Sequence, residues 1–336
     1  MTELGHGSNH ATHTIVFSQL NINGNNEGVH ALIAQIRDAD DNRFAAFMSP
    51  LTAGRVIIAV NAVYQSKVGV SIAIRYALTR RAFSLKPNEP EVLLLDYPSH
   101  QRRLLPLIAK IYALSFGANY LKMLYVKRTP QSNKTIHVSK ALFAEYMAAQ
   151  KRNKVFKGLG LEHMNKPCPV IPAHLTSTTL RCTQFQMDAL CLRERELLNR
   201  FVADVSQCLA KGESKEQTFN MSYQVAEDLG KAFSDRAIFQ TFVEAEATLA
   251  SGSLKDVLGM VRSLYAFNCL EDITYLRYGF LSVDNGAAVR REITNLCSEV
   301  RPHALALVSS FGSPDAFLSP IAFNWVGANS WSSVQH

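Results

Sequence analysis

The 336-residue chain lacks the short motifs that announce a chemistry on their own. There is no CxxC pair, P-loop, GxGxxG, GxSxG or HExxH, so no redox dithiol, nucleotide loop, serine elbow or zinc helix can be read directly. Its six cysteines, at 168, 182, 191, 208, 269 and 297, lie far apart, and no signal-peptide core precedes them. A reducing, intracellular setting is expected. The longest apolar stretches are cut by Asn61, Gln65 and Lys67, and by Lys110, so no membrane-crossing helix is expected. Acid is in short supply, with 28 Asp and Glu against 35 Lys and Arg. The excess is scattered; its densest run, Lys151-Arg152-Asn153-Lys154 followed by Lys157, reads as a solvated face or linker. Without an aromatic-interleaved basic stripe, nucleic acid is not an expected partner. A basic balance would suit a phosphate-bearing ligand.

What is present is mainly helix. Residues 14–20 and 29–36 are short, β-branched and partly alternating, and Asn21 to Asn26 separate them, so they predict two strands and a turn. Two strands alone are marginal in water. Residues 52–83 carry Val56, Ala59, Val60, Val63, Val70, Ile74 and Leu78 at helical spacing, closed by Pro87 and Pro90. Pro98 opens a second helix to about Arg128, kinked at Pro106, and a third runs from Ser139 to Lys151. Gly158, Gly160, Pro167, Pro169 and Pro172 mark a linker over 154–180. Helices follow at about 181–211, 216–248, 253–269 and 287–311, broken at Gly212, Ser251-Gly252 and Asp284-Asn285-Gly286.

Two clusters invite chemistry. His6, His10 and His13 have helical ligand spacing, but Gly5, Gly7, Ser8 and Asn9 oppose a helix there, so no metal site is expected. Cys191 lies near Arg193 and Arg195, which would lower the pKa of an exposed thiol. The stripe Phe185, Leu192, Leu197 and Phe201 instead makes that helix core.

Several stretches resemble one family. Met1 to Asn9 (MTELGHGSN) resembles the start of the middle domain in peroxisomal acyl-CoA oxidases. Thr52 to Ala59 (TAGRVIIA) resembles the first helix of their C-terminal bundle. Ser71 to Ser84 (SIAIRYALTRRAFS) is similar to their flavin-contacting arginine motif. Arg301 to Val308 and Ile321 to Trp325 resemble the extra C-terminal bundle that separates oxidases from acyl-CoA dehydrogenases. The resemblance is closest to plant-type oxidases and covers nearly every residue. It implies a mainly α fold: remnant β-strands of an acyl-CoA dehydrogenase-like middle domain followed by two helical bundles. The implied division is 1–50 for the β remnant, 51–153 for a truncated first bundle, 154–180 for the linker and 181–336 for the second bundle.

Measured against that pattern, whole blocks are missing. The N-terminal helical domain is absent, and sequence is skipped after Asn9, after Asp38 and after Val138. The last gap removes the segment that carries the family's catalytic glutamate, so no catalytic residue is assigned. Alternative splicing or a faulty gene model would leave such a chain.

The resemblance implies FAD as cofactor. Arg80 matches an arginine that reaches the flavin pyrophosphate of a partner subunit, Gln101 a glutamine near the adenylate, and Phe83 an aromatic near the dinucleotide, where core packing would serve equally well. Thr2 matches a threonine beside the isoalloxazine, and Arg55 an arginine at the acyl-CoA pocket. Glu145, the nearest acid after the last gap, is expected at a solvent-facing helix position. The implied reaction is FAD-dependent oxidation of acyl-CoA to trans-2-enoyl-CoA with hydrogen peroxide as co-product, in peroxisomal fatty acid β-oxidation. The alternative is an inactive fragment that pairs with full-length subunits. Expected partners are fatty acyl-CoA and a second subunit, its own copy or a full-length oxidase. Peroxisomal residence is implied by the family alone, since Ser332 to His336 is no SKL-type ending.

Overall fold

The structure is a computed structural model that describes residues 13–35, 49–84, 87–128 and 138–323. Expectations for Thr2, His6 and His10 lie outside the described residues. Strands β1 (His13–Ile22) and β2 (Asn25–Gln35) pair antiparallel, as predicted, with Ile15 opposite Ile33 and Phe17 opposite Ala31. Asn23 and Gly24 turn the chain with φ of 52° and 85°, the left-handed pair that a two-residue hairpin loop requires. This hairpin is a compact unit distinct from the helical body that begins at Val56.

The body opens with α1 (Ser49–Ala77), whose periodic Val63, Val70, Ile74 and Ala77 are buried. The predicted helix ran to residue 83, but the structure stops it at Ala77. The Thr79 hydroxyl donates to the carbonyls of Tyr76 (2.8 Å) and Arg75 (3.1 Å), occupying acceptors in the last turn. The chain then becomes β3 (Arg81–Ala82), paired antiparallel with β4 (Val92–Leu93). A 3-10 turn at Leu94–Asp96 leads into α2 (Pro98–Arg128), which starts at the predicted proline and runs on through Pro106. The third helix, α3, is Val138–Lys151.

Residues 154–176 are irregular apart from a 3-10 turn at Leu161–Asn165, and they are fastened at several points. Phe156 and Leu161 are buried, and the Asn165 side chain bonds both the N–H and the C=O of Phe156. The Arg195 guanidinium donates to the carbonyls of Met164 (2.6 Å) and Lys166 (2.8 Å). After α4 (Ser177–Arg181) come α5 (Thr183–Ala210), α6 (Lys215–Met221), α7 (Tyr223–Ala247), α8 (Ser253–Leu270), α9 (Ile273–Arg277), α10 (Val283–Val300), α11 (Ala304–Ser309) and α12 (Pro320–Phe323).

Two predicted boundaries move. The helix expected over 216–248 splits at Ser222, whose φ and ψ of −86° and 16° are not helical. The helix expected over 287–311 begins at Val283, because the Ser282 hydroxyl caps the N–H of Asn285. It ends at Val300, where Arg301-Pro302-His303 forms a 3-10 turn. Asn285, expected at a break, is instead buried and ties down Leu175 N and Pro172 O.

Helices from both sides of 154–180 share the larger core: Ile74, Leu105 and Ile108 join Leu190, Phe239, Val261, Leu264 and Ile293. At about 1.5–3 kcal/mol per fully buried side chain, such residues supply the main driving force for folding. A smaller cluster sets Leu142 of α3 against Leu197, Phe201 and Leu229. By length and composition alone Gly54–Ala77 and Pro98–Val126 would be apolar enough to cross a membrane, and both contribute residues such as Ile74, Leu105 and Ile108 to the core.

Asp272 caps α9 through Thr274, and Lys231 pairs with the same carboxylate. Burial pushes its pKa up, but these bonds outweigh burial and hold it at about 2. A carboxyl with a depressed folded pKa stabilises above the unfolded value, here 3.8, and that contribution disappears as pH falls through about 2. Acid titration of stability should show a loss of about 1–2 kcal/mol in this window, allowing for solvent screening, and Asp272→Asn should flatten it.

Candidate functional site at the β3–β4 hairpin

The turn after α1 fixes the backbone of Arg80 at both ends. Its N–H donates to Tyr76 O at 2.9 Å, and its C=O accepts from Leu94 N at 2.9 Å. The side chain is exposed. Three residues on, the Phe83 ring is 85% exposed, which excludes core packing as its role. Its carbonyl is held by the Tyr97 hydroxyl. A cation and an aromatic ring therefore project from one pinned hairpin.

The hairpin is seated by its neighbours. Arg301 reaches Asp96 at 2.7 Å, and Arg102 pairs with Glu271, so the start of α2 is tied to the far end of the body. Gln101, in the first turns of α2, is buried and accepts weakly from Ser298 Oγ of α10 at 3.5 Å. Its amide faces the protein interior rather than the surface that displays Arg80 and Phe83. Beside it, the Nδ1 of His100 is buried without a partner, and its ring lies 6.0 Å from that of Tyr97. No motif flagged His100, because a lone histidine in a helix carries no spacing signal. Arg55 is exposed in the second turn of α1.

Glu145, expected to face solvent, is half-buried and engaged at Oε1, which accepts from Arg152 at 2.5 Å and from the Lys157 N–H at 2.7 Å. It pins the chain leaving α3. Among the described residues, no group of three or more His, Cys, Asp or Glu converges to hold a metal.

Cys191 is inert. Burial, reinforced by the nearby Glu194 charge, pushes its thiol up to about 12, and Cys297 is pushed to about 12 by burial as well. The arginines that flanked Cys191 in sequence point elsewhere, Arg193 to Asp235 and Arg195 to the backbone carbonyls described above. Alkylation of the folded protein should label exposed Cys168 and Cys182 and spare Cys191, Cys269 and Cys297 until denaturant is added.

Comparison with known proteins places this geometry. Residues 48–158 match the acyl-CoA oxidase C-alpha1 domain, and residues 183–322 match the acyl-CoA oxidase family model. The peroxisomal acyl-coenzyme A oxidase 3 of Arabidopsis thaliana is 51% identical over 449 residues, covering 98% of this chain and 66% of that protein. A putative acyl-coenzyme A oxidase 3.2 of the same plant, also named peroxisomal, is 47% identical with the same coverage. This chain thus spans about two thirds of those relatives. Since 449 aligned positions exceed 336 residues, at least about 110 positions of the first relative have no counterpart here. Among solved structures, an acyl-CoA oxidase from tomato superposes with a TM-score of 0.74 at 17% identity, over 95% of this chain and 68% of that one. Acyl-CoA oxidase-1 of Caenorhabditis elegans, complexed with FAD and ATP, gives 0.71 at 16% identity, over 95% of this chain and 67% of that one.

Proposed function

Given that this chain belongs to the acyl-CoA oxidase family, we propose that it serves peroxisomal fatty acid β-oxidation as a flavin-edge and scaffold portion of an oxidase, not as a complete catalyst. The observation that carries this reading is the Arg80–Phe83 hairpin, with its fixed backbone and exposed side chains. A planar guanidinium pairs two phosphate oxygens at once, and an exposed ring offers a stacking face, so both residues fit a flavin dinucleotide. Gln101 does not fit as placed, because its amide is turned into the body. Arg80 would hold the pyrophosphate and Phe83 would flank the dinucleotide. When bound, the flavin supplies the hydride acceptor for acyl-CoA oxidation, and peroxide arises on its return to the oxidised state. Arg55 contributes to an acyl-CoA pocket separate from that edge.

A second subunit completes the site in this reading. The missing aligned positions are consistent with pairing with a full-length oxidase. The experiment is flavin titration of the purified chain, alone and mixed with a full-length oxidase subunit. Alone, the chain should bind FAD weakly, and Arg80→Ala should abolish that binding. Stoichiometric, tightly held flavin in the isolated chain would contradict the reading.

A further inference from the structure

One short stretch of chain clamps both residues assigned to the flavin edge. Leu94, the first residue after β4, donates its N–H to the Arg80 carbonyl at 2.9 Å. Three residues on, the Tyr97 hydroxyl donates to the Phe83 carbonyl. The two clamps differ in kind. Any residue except proline at position 94 would supply the first, because it is made by backbone. The second exists only because residue 97 carries a phenol. The β3–β4 ladder stops at the Ala82–Val92 pair, so Phe83 lies just past the last backbone rung. The tyrosine ring carries a donor out to it.

Tyr97 stands on a fixed base. Leu95, in the 3-10 turn before it, is completely buried and roots that turn in the larger core. Asp96 accepts from Arg301 twice, from Nε at 2.7 Å and from Nη2 at 2.5 Å. The Tyr97 N–H donates to Leu94 O at 3.2 Å. Its own carbonyl accepts from the N–H groups of His100 and Gln101, at 2.9 and 3.0 Å, in the first turn of α2. Tyr97 is half-buried, whereas the Phe83 ring it serves is exposed.

An exposed ring at the end of a two-residue strand has to be ordered before a ligand can stack on it. Holding its backbone in advance removes part of that penalty from binding. We infer that Tyr97 is a positioning residue for flavin binding: its hydroxyl fixes the Phe83 backbone, and so presents the ring to the dinucleotide, without itself touching the flavin. This rests on the flavin reading of Arg80 and Phe83 given above.

The test is a double-mutant cycle on the full chain, read as FAD affinity by flavin fluorescence. Tyr97→Phe removes one hydroxyl and keeps the ring. It should weaken FAD binding by about two- to tenfold, the range for the net loss of one hydrogen bond. Phe83→Ala should weaken binding too, and in that background Tyr97→Phe should have no further effect, because the ring it positions is gone. Without FAD, amide exchange over residues 80–84 should be faster in Tyr97→Phe than in the native chain. A general loss of stability would instead lower affinity equally in both backgrounds, and such additivity overturns the inference. Unchanged amide exchange overturns it as well. If Arg80→Ala and Phe83→Ala lose FAD while Tyr97→Phe binds it like the native chain, the inference falls and the flavin reading stands. If Arg80→Ala and Phe83→Ala bind FAD like the native chain, the flavin reading fails and takes the inference with it.

Discussion

Replacing Arg236 by alanine is expected to destabilise the protein by about 3–5 kcal/mol, seen as a lower urea midpoint at unchanged slope. Arg236 on α7 grips Glu194 on α5 with two bonds, Nε to Oε2 at 2.6 Å and Nη2 to Oε1 at 3.1 Å. The glutamate is completely buried and the arginine nearly so. Removing one partner strands the other charge without solvent, and that penalty, rather than the attraction itself, makes the effect large. Gly160 adds a steric constraint: with φ of 71°, it lies so close to the Arg236 guanidinium that a Cβ would sit 2.9 Å from Nη1. The matched control is Glu194→Leu with Arg236→Leu, which should recover most of the loss, because a buried pair exchanged for apolar residues of similar volume is often neutral. A single-variant cost below about 1 kcal/mol, the level of an exposed pair, would show that the pair is solvated in solution.

The second large effect concerns catalysis. The isolated chain, supplied with FAD and saturated acyl-CoA of several lengths, is expected to yield no peroxide above background. A positioned general base contributes about 10²–10⁴-fold and must stand within hydrogen-bond reach of the proton it removes. The segment expected to carry that base is absent from the sequence. The nearest later carboxylate, Glu145, holds Arg152 and the Lys157 backbone through Oε1.

Parts of this architecture were legible in the sequence because a local rule decided them. Asn23-Gly24 between alternating runs forces a tight hairpin, and Pro98 starts α2 where a missing N–H costs nothing. The errors came where a side chain far off, or a single hydroxyl, overrode periodicity. Thr79 ends α1 early, Ser282 starts α10 before the apparent break, and Asn285 is drawn inward by Pro172 and Leu175, more than 100 residues away in sequence. The site divides similarly. Arg80 and Phe83 came from family resemblance, since a lone arginine and a lone phenylalanine have no motif physics; only the hairpin shows that both are exposed. Gln101 shared their sequence neighbourhood, yet the helical phase of α2 turned it inward. The arginines beside Cys191 looked like thiol activators in one dimension and proved to be struts in three.

In the proposed function, this chain keeps the flavin-facing hairpin of an acyl-CoA oxidase without its catalytic base. Peroxide release from the purified chain with FAD and acyl-CoA, measured for the native sequence and for Glu145→Gln, tests it most directly. Background rates are expected for both. Turnover of about one per second or faster, within the usual enzyme range, and abolished by Glu145→Gln, would contradict it.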